Sequence, residues 1–185
     1  MKTLSETEAL QDLEKLKNEY RDFIRENYEQ KAQNCATCPT MGACCLDAHF
    51  VNIHITKLEA VAIRKTLAKL NEAKQREIYE RVAETIEKYD LQTGGDSFAK
   101  TFACPLFEKS VGCLVHENGK PAPCISHACY ENRADLPPDN LQETIESKIE
   151  RLNRRVYGSI WNYFSLPVWL SSVNPFSGKS GTEEI

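Results

Sequence analysis

Eight cysteines gathered in two short stretches constrain this 185-residue chain more than any other feature. Cys35, Cys38, Cys44 and Cys45 form the first group; Cys104, Cys113, Cys124 and Cys129 form the second. Cysteine is commonly buried as a small apolar residue, but incidental burial does not produce two tight clusters. A Cys-x2-Cys unit such as Cys35–Cys38 lets two thiolates reach one soft cation without straining the backbone between them. Redox dithiols use the same spacing, but they follow a buried strand, whereas the segment before Cys35 reads as an amphipathic helix. The start MKTLSETEALQDLEKLKNEY has no apolar signal core, so the expected compartment is the reducing cytoplasm, where disulfides are disfavoured. The expected cofactor is therefore zinc or iron, with an iron–sulfur cluster among the forms that thiolates accept.

Neighbouring side chains point about 100° apart on a helix and to opposite faces of a strand, so Cys44 and Cys45 are poorly placed to grip one ion as equals. One is expected to bind the centre while the other bridges, serves a second centre or packs. His49 and His127 stand near cysteines as secondary ligand or supporting candidates; His116, His54 and the thioether of Met41 rank below them. Gly94 and Gly95 form no phosphate cradle, and no serine–histidine constellation is marked, so no enzyme activity is compelled. The formal charge of −4 provides no basic face for a nucleic-acid partner, and no apolar run reaches the about 18 residues of a transmembrane segment. The partners expected are a metal ion and a protein.

Periodicity makes the fold class mostly α: a helical, bundle-like core carrying a cysteine-rich irregular metal-binding lobe. Leu10, Leu13, Leu16, Tyr20, Phe23 and Asn27 mark a first helix over about 5–30, with Ser5 and Glu8 as a capping box and Thr3 with Glu6 as its competitor. Ile55, Thr56 and Glu59 begin a second helical region that runs to Tyr89, with an unmarked break near Leu70 or Asn71. Short strands fit Gly112 to Val115. A closing helix is expected after Pro137 and Pro138, capped by Asp139 with Gln142, with a stripe from Leu141 to Phe164 and a stop at Pro167. The aromatic segment Trp161–Leu170 is expected to close the core. One domain, 1–170, should hold the cysteine-cluster region 34–130, and 171–185 should form a mobile tail.

The pieces CATCPTMGACC, ITKLEA, ACPLF, GC and KPAPCISHAC occur in the order seen in the YkgJ-like cysteine-cluster family, described as zinc- or iron-chelating, and over 34–130 the chain resembles that family. The resemblance implies that all eight cysteines are the functional set, with Pro105 and Pro121 shaping the loops. Five residues separate Cys38 from Cys44 where about three are usual, and Lys120–Pro121 replaces a frequent Arg-Pro. The family is similar in part to the cysteine-rich region of flagellin lysine methylases. The expected function is metal binding in a structural, metal-handling or redox-linked role. The alternatives are a protein-lysine methyltransferase-related enzyme or component, and an adaptor binding partners through its aromatic C-terminal segment.

Overall fold

The computed structural model describes residues 3–33, 41–46, 51–91, 97–158 and 163–177. Among the described residues, six α-helices carry the architecture. Helix α1, Glu6–Asn27, starts at a complete capping box in which the Ser5 side chain accepts from the Glu8 amide and the Glu8 carboxylate accepts from the Ser5 amide. Thr3 plays no such part. Its buried line is Ala9, Leu13, Lys17, Tyr20 and Ile24. That line is rotated from the expected one: Phe23 is 43% exposed, and a lysine occupies the inner face.

Thr56 caps α2, Lys57–Leu67, through a second complete box with Glu59. The break expected at Leu70 or Asn71 is present, because Asn71 accepts from the Lys74 amide and starts α3, Glu72–Tyr89. After α3, Asp90 takes a left-handed conformation at φ 51°. Short α4, Ala122–Ser126, begins after Pro121. Helix α5, Asp139–Tyr157, differs from expectation at both ends. Asp139 is its first residue and makes no cap, while Gln142 exchanges hydrogen bonds with Ser126 and Glu146 instead. Its C-terminus comes at Gly158, φ 82°, well before Pro167. Pro167 lies in the first turn of α6, Leu166–Ser172, where a missing N–H costs nothing.

Two apolar cores share α2. One packs Ile63 and Leu67 of α2 with Ile78 and Val82 of α3 and Leu166 and Leu170 of α6. Phe102, Leu106 and Val115, from the segment around the second cysteine group, complete it. The other packs Leu13 and Tyr20 of α1, Ala122 of α4, Ile145 and Ile149 of α5, and Leu58 of α2. Helix α2 serves both by burying Leu58, Ala60, Val61, Ile63 and Leu67 around most of its circumference, with Lys65 left exposed. The C-terminal aromatic segment is core where it is described: Phe164 and Trp169 pack edge to face at 5.3 Å, and Leu166 and Leu170 are fully buried. The packed body also reaches past residue 171, the expected start of the tail: α6 ends at Ser172, Val173 is buried, and Phe176 meets Tyr79. Residues 178–185 lie outside the described residues, as does Trp161. No described helix is long and apolar enough to cross a membrane.

Three two-residue antiparallel ladders tie the irregular segments to this frame. Strand β1, Ala32–Gln33, pairs with β5, Cys129–Tyr130; β2, His54–Ile55, pairs with β6, Phe164–Ser165; and β3, Phe107–Glu108, pairs with β4, Gly112–Cys113.

Candidate metal centre

The cysteine-bearing segments are drawn together by backbone hydrogen bonds and one tight van der Waals contact. Gly42, at φ +83°, begins the turn that carries Cys44 and Cys45. A Cβ at Gly42 would sit 1.8 Å from Cζ of Phe107, so its backbone lies flat against that ring. The Cys104 amide donates to the Cys45 carbonyl at 2.8 Å, joining the two groups directly. Cys113 faces Phe107 in the β3–β4 hairpin, and the Leu114 amide donates to the Leu106 carbonyl at 3.0 Å. Glu108 of that hairpin is held by Lys74 and Arg81 of α3. Cys124 rides on α4, and Cys129 stands opposite Gln33, immediately before the first cysteine stretch.

The thiols lie within reach of one another's charge. Cys44 has its pKa lowered to about 6, first by the hydrogen bond from Cys45 and, against burial, by the charges of His127 and Lys120. Cys45 is driven strongly upward by the same hydrogen bond, then by burial and by Cys104, Cys44 and Cys113. The adjacent pair is thus unequal, the Cys44 thiol shifted down and the Cys45 thiol shifted up by the same hydrogen bond. Burial pushes Cys104 up to about 12, with Cys113 and Cys44 adding to it. Cys113 and Cys124 are likewise raised, burial first. Cys44, Cys45, Cys104, Cys113 and Cys124 form no disulfide.

This donor set fits a soft cation in its chemistry: apolar surroundings disfavour thiolates, and a bound cation supplies the charge that makes them favourable. Among the described residues, however, no three Cys, His, Asp or Glu side chains already stand in a metal-holding arrangement. Cys35, Cys38 and His49 lie outside the described residues. Of the other secondary candidates, His127 ends α4 and acts on Cys44, whereas His54 is buried and stacks on Phe98 at 3.9 Å, a packing role. Met41 is 45% exposed.

Two cations near the thiols were not singled out by sequence pattern. The charge of Lys120 acts on Cys44, Cys113 and Cys124, and that of buried Lys17 acts on Cys124. Lys17 left a signal: it falls four residues after Leu13 and three before Tyr20, on the inner face of α1. No protein family, curated protein or solved structure matches the chain.

Proposed function

We propose that this chain is a metal-binding cysteine-cluster protein whose thiolates hold zinc or an iron-containing centre, in a structural, metal-handling or redox-linked role. One observation carries the reading: the Cys104 amide donates to the Cys45 carbonyl, so that Cys44 and Cys45 from the first group lie in the electrostatic neighbourhood of Cys104 and Cys113, and these two in that of Cys124. The cysteine-rich lobe is then the part of the fold that the metal organises. Cys35 and Cys38 are its further donors on their Cys-x2-Cys spacing. Ligand capture by segments this far apart in sequence couples metal affinity to folding free energy. Lys17 and Lys120 offset the negative charge that several thiolates accumulate, and the resemblance to the YkgJ-like family agrees with the same donor set.

Metal analysis with optical spectra after anaerobic purification tests the proposal. A stoichiometric colourless zinc species supports a structural or transfer role, and broad charge-transfer absorption supports an iron–sulfur centre. Fully folded protein that takes up neither metal removes the reading.

A further inference from the structure

A cavity of about 270 Å³ lies between α1 and the C-terminal end of α2, walled on one side by Asn118 and Gly119 of the segment linking Cys113 to Cys124. Its apolar lining includes Leu13 and Ala62, and its charged lining has four cations, Lys17, Arg21, Lys65 and Lys69, against two acids. Lys17 is already satisfied by Glu59. Arg21, one turn further along α1, has no ion-pair partner among the described residues, and its Nε is sealed from solvent without an acceptor. Lys65 and Lys69 stand exposed at the rim, also without an ion pair among the described residues. Two carboxylates line the same space, Glu14 and Glu117, and the second lies 4.0 Å from His116. The balance is three uncommitted cations against two acids. A guanidinium partly stripped of water, with no counter-ion among the described residues, is a costly arrangement that an arriving anion relieves. Gly119, at φ +93°, lets the loop close on Thr66, whose Oγ1 would stand 3.2 Å from an added Cβ, so the wall is set by backbone shape.

The geometry points to this cavity as a binding site for a small organic anion, a carboxylate or phosphate ester with an apolar body. Arg21 receives the charged group, Leu13 and Ala62 contact the body, and Lys65 with Lys69 attract the ligand at the rim. An apolar floor with a few convergent polar groups is the usual composition of a small-molecule site. Its lining includes no thiol, and its Asn118–Gly119 wall lies between Cys113 and Cys124.

Calorimetric titration of the full chain at fixed ionic strength with phenyl phosphate and with hexanoate, against phenol and inorganic phosphate, tests the assignment. At least one organic anion should bind saturably, and phenol and inorganic phosphate should each bind at least about tenfold more weakly, since each lacks half of the recognition. Arg21→Met should lower affinity about tenfold or more, and Arg21→Lys should recover part of it. The double variant Lys65→Met with Lys69→Met alters only exposed side chains and should weaken binding with the fold unchanged, which keeps the test decisive if Arg21→Met does not fold. Absence of saturable heat with both organic anions, or equal binding by folded Arg21→Met, overturns the proposal. Metal content measured on the same sample reports separately on the cysteine centre.

Discussion

The Nζ of Lys17 lies 3.5 Å from Oε1 of Glu59, and both side chains are almost completely buried. The same oxygen accepts from the Ala122 amide at 3.2 Å, while the other carboxylate oxygen accepts from the Thr56 amide at 3.2 Å. One carboxylate therefore ties α1 and α2 to α4, the helix that carries Cys124. Lys17→Met should destabilise the protein by about 3–5 kcal/mol, because it leaves a buried charge without its partner. Lys17→Met combined with Glu59→Gln should recover part of that loss, since the buried charge is gone and the amide oxygen can still accept from Ala122, while the amide nitrogen cannot accept from Thr56. Urea unfolding of the four proteins measures the coupling, and additive losses would refute it.

Burial lowers the pKa of Lys17 from 10.5, against the pull of Glu59. Between the lowered folded value and 10.5, the unfolded chain binds more protons at this site, so the Lys17 contribution to stability rises with pH through that window. The stability of the wild type minus that of Lys17→Met should grow as pH is raised from 7 towards 10.5. A difference that stays flat or shrinks contradicts the assignment.

Asn153, fully buried on α5, accepts through Oδ1 from the Leu58 amide at 3.0 Å and so satisfies one of the open donors at the start of α2. Asn153→Leu should cost about 1–3 kcal/mol by orphaning that amide. Asn153→Asp keeps the acceptor and places negative charge at a helix N-terminus, so it should cost less. Thermal unfolding ranks the two.

Gly42→Ala should push Phe107 aside and loosen the joint between the two cysteine groups, because the added carbon meets the ring at 1.8 Å and the φ of +83° is unfavourable for alanine. A loss of about 1–3 kcal/mol is expected, together with reduced metal content. Adding Phe107→Ala should relieve the clash and return part of the metal; its failure to do so would place the cost in the backbone alone.

If the cysteine groups share a centre, Cys35→Ser with Cys38→Ser and Cys124→Ser with Cys129→Ser should both lower metal occupancy, and each should increase protease cleavage in the other group's segment. Loss confined to the altered segment would instead indicate independent sites. Single serine substitutions at Cys44 and Cys45 should differ in effect, as their unequal thiols suggest.

Local signals in the sequence determined where α1 and α2 start. Ser5 with Glu8 and Thr56 with Glu59 form capping boxes at the expected residues, because such caps depend only on neighbours three positions apart. The strand expected near Gly112 appears as one side of a two-residue ladder. Tertiary structure decided which face of each helix is inside and where α5 ends. The inner line of α1 takes Lys17 and leaves Phe23 exposed, since Glu59 of α2 supplies a buried partner that no pattern within α1 encodes. Gly158 ends α5 and Phe164 pairs with Ile55, so Pro167 opens a helix instead of closing one. For the cysteines, the sequence determined their division into two groups. Their meeting rests on the Cys45–Cys104 hydrogen bond, the Phe107 ring against Gly42 and the anchoring of α4 by Glu59. These are contacts between residues far apart in the chain, and only packing brings them together.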